Sequence, residues 1–218
     1  MHQHRRKHTM IPRYAGPSQG RLPDLLLVAM AACAVAGCAA PQPKAPAPPT
    51  IEVQEEVGFT ITEAGAVSGQ VRDGYQRALT LLEQQRIQEG IDMLAQVVEK
   101  APELSAPRID LGIAHHRAGN LEQAEAQLVA ALELSPSHPI AHNELGIIYR
   151  KTGRFRQART SYERALSLYP GFHYARRNLA VVCDLYLADL ACAVRNYEAY
   201  LLTVQQDKEA AMWLADAQ

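Results

Sequence analysis

His138 and His142 stand four residues apart, a spacing that sets two imidazoles on one helix face and is the start of a metal site. Pro139 is acceptable only in a first helical turn, so His138 falls at or before the helix start, and no third ligand is in register. Solvent-facing imidazoles are the simpler reading, and no metal is expected. His115 and His116 lie within a helical run, where His115 takes a seam position better suited to packing or a hydrogen bond than to proton transfer. Cys183 and Cys192 flank a predicted turn centred on Leu187-Ala188. Residues equidistant from the turn of an antiparallel helical hairpin face each other, so the pair is within reach of a disulfide, with two packed thiols as the alternative. No charged or Cys-x-x-Cys setting lowers a thiol pKa there. The chain has no His-Glu-x-x-His, no Gly-x-Ser-x-Gly and no Gly-x-x-x-x-Gly-Lys-Ser/Thr. Catalytic residues and cofactors are therefore not expected, and the chain reads as a non-enzyme.

The 218 residues carry 22 Lys and Arg against 23 Asp and Glu, a balance that disfavours nucleic acid as a partner. Aromatics are only 6%, and Ala and Leu make up much of the 48% hydrophobic content, which favours closely packed helices over a β-barrel. Arg5, Arg6, Lys7, Arg13 and Arg21 precede an apolar stretch, Leu25 to Ala36. That stretch is shorter than the roughly 20 residues needed to span a bilayer. A basic segment followed by such a core is the pattern of a secretory signal peptide. Its end, Val35-Ala36-Gly37-Cys38, resembles a bacterial lipobox. The resemblance implies diacylglycerol on Cys38, cleavage that removes residues 1–37, and an acyl chain such as palmitate on the new amino terminus. An ordinary signal peptide with a chance cysteine is the alternative. Cys33 would leave with the signal, and translation starting at Met10 would give the same mature chain. Ala39, not Asp, follows the cysteine, so the expected location is the periplasmic face of the outer membrane. The mature chain would hold 17 basic and 22 acidic residues, a net charge of −5, which further disfavours nucleic acid. Residues 38–50 form the anchor and a spacer with five prolines between Ala39 and Thr50. As polyproline helix it would reach up to about 37 Å. Residues 51–70, with Gly58, Gly65, Gly69 and a β-prone Phe59-Thr60-Ile61-Thr62, read as irregular.

From Val71 the chain repeats. Leu111-Gly112, His115, Gly119, Ala124, Leu128, Ala131 and Pro136 recur 34 residues later as Leu145-Gly146, Tyr149, Gly153, Ala158, Tyr162, Ala165 and Pro170. A weaker copy precedes them (Ala78, Leu81, Gly90, Leu94, Val97, Pro102), and a fourth follows with one inserted residue (Leu179-Ala180, Cys183, Ala193, Tyr197). The small residues let helices approach closely, the larger ones fill the seam, and Pro stops the second helix. The pattern resembles the tetratricopeptide repeat. That resemblance implies an all-α fold, a right-handed superhelical array of about four antiparallel helix-turn-helix units over 71–206 (71–104, 105–138, 139–172, 173–206). A C-terminal capping helix over 207–218 would cover the last face, with Ala211, Met212, Leu214 and Ala215 apolar. Trp213 would anchor that cap or, less simply, touch a partner. Ser105-Ala106-Pro107 and Ser137-His138-Pro139 offer helix starts, and Lys151-Thr152-Gly153 a helix end.

In this family the first helix of each unit lines a concave face at unit positions 2, 5, 9, 12 and 13. Transferred here, the resemblance implies a partner-binding groove built from Tyr75, Leu79, Ile109, Ile113, His116, Arg117, Asn143, Ile147, Arg150, Lys151, Tyr174, Arg177 and Val181. An apolar floor with a cationic edge suits a peptide with apolar anchors and acidic residues. The alternative is that these side chains pack between units or under residues 51–69. The carboxylate clamp of chaperone-binding relatives uses positions 2 and 6, which here read Arg72, Gln76, Ala106, Asp110, Ile140, Glu144, Tyr174 and Asn178, so that clamp is broken. The basic run Arg150, Lys151, Arg154, Arg156, Arg159, Arg164 is either a solvated helix edge or a contact for an anionic envelope glycan or lipid. The expected function is a lipid-anchored scaffold that binds a protein of an envelope assembly, of pilus, secretion or other trans-envelope type. Its partners would be protein in the cell envelope and membrane through the anchor. The oligomeric state is left open.

Overall fold

A computed structural model describes residues 50–54, 58–62 and 67–218. The signal segment, Cys38 and the proline-rich spacer up to residue 49 lie outside the described residues. Two strands, β1 (Thr50–Gln54) and β2 (Gly58–Thr62), precede the helices. They pair antiparallel with Ile51 opposite Ile61 and Val53 opposite Phe59. This corrects the irregular reading of the segment. Apolar and polar residues alternate along both strands, and that period of two is the strand signal the glycines obscured.

Nine helices follow within the described residues, two to each unit and one beyond. They are α1 (Gly69–Glu83), α2 (Ile87–Lys100), α3 (Ser105–Arg117), α4 (Leu121–Leu134), α5 (Pro139–Lys151), α6 (Phe155–Leu168), α7 (His173–Leu185), α8 (Leu190–Leu201) and α9 (Lys208–Ala217). Each helix packs on its neighbours in sequence, and α5 also touches α3 and α7. The first helices of successive units therefore form one layer and the second helices the other.

The core is a row of small residues against large ones. Ala78, Ala114, Ala124, Ala131, Ala141, Ala158, Ala165, Ala175, Ala180 and Ala193 are fully buried, and Leu94, Leu128, Tyr162 and Tyr197 fill the spaces between them. A Cβ on Gly146 would lie 2.5 Å from Cε1 of Tyr162, and one on Gly112 would lie 2.8 Å from Cγ of Leu128. The paired helices thus touch where the first has no side chain.

Within a unit the turn follows one recipe. In the third, Gly153 at φ +77° lets its N–H reach Arg150 O and lets Arg154 N–H reach Tyr149 O at 2.8 Å. This is the Schellman closure of a helix end. Gly119 repeats it at φ +85° in the second unit, and Gln85 takes the same place at φ +63° in the first. The fourth unit has one more turn residue and places Ala188 at φ +54°. In this turn Cys183 and Cys192 are joined by a disulfide with Cα atoms 5.8 Å apart, so a covalent link braces the one lengthened hairpin.

Helix starts differ in detail from the sequence reading. His138, not Ser137, caps α5, its Nδ1 accepting from Ala141 N–H at 3.4 Å. Ser105 lies inside α3, behind Leu104. His142 bonds through Nε2 to Pro136 O at 3.0 Å, just as Arg108 donates to Pro102 O and Arg176 to Pro170 O. His142 is thus a half-buried tie between units, and the solvent-facing reading fails at His138, which is only 4% exposed. The capping helix buries Ala210 and Ala217 and packs Trp213 and Leu214 on the last core. Ala211, Met212 and Ala215, expected inward, face solvent because the buried stripe runs through 210, 213, 214 and 217.

Replacing Gly146 by Ala should cost about 1–3 kcal/mol through overpacking against Tyr162. Gly153→Ala should cost about 1–2 kcal/mol through the left-handed backbone alone. Urea unfolding of the two variants would check both values, with the larger loss expected at Gly146.

Candidate partner-binding face

The inner layer of first helices presents a row at unit position 9: Leu79, Ile113, Ile147 and Val181, one per unit. All four are half-buried, and Ile113, Ile147 and Val181 pack against the core clusters of their units. Tyr75 is also half-buried, and Tyr174 is 62% exposed on α7 with the His173 ring 4.1 Å from its own. Two expected lining residues are instead core. Ile109 is only 3% exposed and packs with Leu128 and Leu145, because position 5 turns toward the seam with the next unit. Asn143 is also 3% exposed, and its amide belongs to a buried polar chain.

That chain was missed by the position pattern. Tyr75 donates its hydroxyl to Asp110, and Asn178 donates to Asn143 Oδ1 at 3.1 Å. Both bonds link position 5 of one unit with position 6 of the next, the donor being at position 5 in the first and at position 6 in the second. Between them the pattern fails because Ile109 has no polar atom, and Glu144 accepts instead from Asn143 Nδ2 at 3.0 Å. The signal in the sequence was the pair of acids, Asp110 and Glu144, recurring after 34 residues at a position weighed only for the broken clamp. Burial raises both carboxyls above their ordinary range, against the opposing pull of the hydrogen bonds from Tyr75 and Asn143 and of the Arg117 charge.

Cations gather beside this row. His116 and Arg117 end α3, Arg150 and Lys151 end α5, and the two helices touch; His116 is held below its usual value first by burial and then by the Lys151, Arg150 and Arg117 charges. Arg117, Arg150 and Lys151 form no ion pair with a described residue. Arg150 Nε is buried without a hydrogen bond, and the Arg150 guanidinium neighbours the buried Tyr162 hydroxyl. Burial pushes Tyr162 up to about 12 despite the Arg150 charge. Arg177, expected in the groove, is spent on the cap. It donates to Glu209 at 2.9 Å, lies 3.4 Å from Asp207 and covers the Trp213 ring at 5.0 Å.

The basic run of the third unit does not form one edge. Arg150 and Lys151 lie with the inner-face cluster, whereas Arg154 pairs with Glu125 and Arg159 with Glu163 and Asp189. Arg156 and Arg164 line a separate groove on α6. No group of three His, Cys, Asp or Glu that could hold a metal occurs among the described residues, and no described helix is long and apolar enough to cross a membrane.

The family model of the tetratricopeptide repeat matches three overlapping stretches, 75–139, 109–171 and 143–185. The chain belongs to the tetratricopeptide repeat family. Solved structures agree on the superhelical all-α fold. MamA from Desulfovibrio magneticus RS-1 is similar at a TM-score of 0.64 and 16% identity, over 70% of this chain and 85% of that one. Pseudomonas aeruginosa pilF is similar at 0.62 and 21%, over 68% of each chain. The first repeat domain of Spaghetti (RPAP3), bound to the HSP90 peptide SRMEEVD, is similar at 0.54 and 22%, over 56% of this chain and 97% of that one. No curated protein matches the chain.

Because Glu144 is raised by burial, its folded form holds the proton more tightly than the unfolded chain does. Its contribution to stability is thus fully present below the unfolded value and lost as pH rises through the folded one. Glu144→Gln keeps the acceptor for Asn143 and should make the protein more stable than wild type at pH ~7, with the gap closing below the ordinary glutamate range. Urea midpoints across this pH range would check the sign.

Proposed function

We propose that this protein is a non-catalytic scaffold of the bacterial cell envelope. Cys38 carries the lipid that holds it to the outer membrane, and the proline-rich spacer sets the repeats off the surface on the periplasmic side. The inner face of the array binds a protein of an envelope assembly, of pilus, secretion or other trans-envelope type. The supporting observation is the position-9 row. Leu79, Ile113, Ile147 and Val181 remain partly open on one layer while the equivalent seam residues are buried, and unpaired Arg117 and Lys151 stand beside them. Aliphatic anchors in line with cations fit a segment with apolar side chains along one edge and acidic ones along the other. The peptide-bound relative supports a protein ligand for the fold in general. The broken clamp argues against the same mode of carboxylate capture here.

Two experiments test the reading. Crosslinking of tagged full-length protein in cells should yield a protein partner that is lost in Ile113→Asp/Ile147→Asp, with binding tolerant of salt. Adducts unchanged in that variant would remove the groove from the account. Cys38→Ser should abolish fatty-acid labelling and release the protein from the outer-membrane fraction; unchanged labelling would overturn the anchor.

A further inference from the structure

A second recess opens on the other layer, away from the position-9 row. It has a volume of about 490 Å³ and lies between α4 and α6 over α5. Its floor is Leu132, Leu145 and Tyr149, and one wall is a continuous face of α6: Arg156, Gln157, Thr160, Ser161 and Arg164.

The repeats themselves show why the recess is here. One unit earlier the equivalent positions hold Arg108 for His142 and Gln127 for Ser161, and these two longer side chains reach each other across the gap at 3.5 Å. One unit later they hold Arg176 and Asn196. The third unit shortens both, leaving space where its neighbours are filled. The same unit also adds charge at the two ends. Arg156 replaces what is Glu122 before and Ala191 after; Arg164 replaces what is Ala130 before and Ala199 after. Neither guanidinium forms an ion pair with a described residue, although Arg154 at the N-cap of the same helix and Arg159 within it do. His142 at the recess is held below its usual value first by burial and then by the Arg164 charge, against the pull of its bond to Pro136 O.

We propose that this recess is a second binding site, for an acidic peptide segment of a partner protein. The segment seats an apolar side chain on Leu132, Leu145 and Tyr149 and two carboxylates on Arg156 and Arg164. Those arginines are eight residues apart on one helix, about 12 Å along its axis. An extended chain spans a similar distance, about 13 Å, between residues i and i+4. The guanidinium fork matches a carboxylate. The apolar floor between the two guanidiniums seats one side chain, which is why a peptide suits it better than the flat face of a membrane.

The probe is a fluorescent, end-blocked pentapeptide, Glu-Ala-Phe-Ala-Glu, titrated onto the full-length protein in neutral detergent. Binding is expected below about 5 mM, weakened at least about tenfold in Arg156→Gln/Arg164→Gln. It should be retained in Arg117→Gln/Lys151→Gln and in Ile113→Asp/Ile147→Asp, which separates this site from the inner face. A peptide of the same composition with adjacent glutamates should bind more weakly. No binding in that range would overturn the proposal. So would loss in the inner-face variants, or equal binding of the two peptides. Vesicles of anionic lipid that bind through Arg156 and Arg164 while the peptide does not would transfer the recess to a lipid headgroup and overturn the peptide assignment.

Discussion

Everything in this array depends on how closely two helices can lie along their shared seam. Gly146 leaves its face of α5 bare, and the ring of Tyr162 occupies the space a methyl group would need. Gly112 does the same for Leu128. Fully buried alanines continue the seam through the other units, so the backbones approach and the few large side chains are enclosed. Burial of those rings and leucines is the main favourable contribution, and the small residues decide that it can happen. The turn geometry serves the same end. A left-handed residue at 85, 119 and 153 returns the second helix onto the first in the same orientation each time.

The fourth unit departs from this rule and carries compensating contacts. Its turn is longer, its left-handed residue is an alanine, and a disulfide joins the two helices across it. Beyond it α9 closes the array through apolar packing of Trp213 and Leu214 and through Arg177, which pairs with Asp207 and Glu209 while covering the Trp213 ring. Terminal units have no following neighbour, so such added ties are physically reasonable at that end. They also remove Arg177 from the binding face, which concentrates the unpaired inner cations in the second and third units.

The helical units were legible because a repeat prints the same constraint several times. The small residues at 112, 124 and 131, matched at 146, 158 and 165, cannot all be chance when each meets a large partner. The binding face was legible in part. Position 9 came through because its aliphatic character recurs in every unit, whereas position 5 varies between Tyr75, Ile109, Asn143 and Arg177, and each does something different. One bonds the next unit, one is core, one is a buried relay and one holds the cap. Family position alone carries no information on which of these a side chain will choose, since the choice depends on its polarity and on the residue opposite it. The strand pair of 50–54 and 58–62 was hidden for another reason: each strand holds only five residues, and the glycines beside them obscured the brief alternation.

The central claim is that the inner layer, through its open aliphatic row, is where this protein meets its partner. A photo-crosslinking amino acid placed at Ile147 in the full-length protein in cells tests it most directly, with the same residue at exposed Gln96 of α2 as control. The account predicts a discrete protein adduct from position 147 and none from position 96. Equal adducts from both positions, or an adduct from position 96 alone, would contradict it.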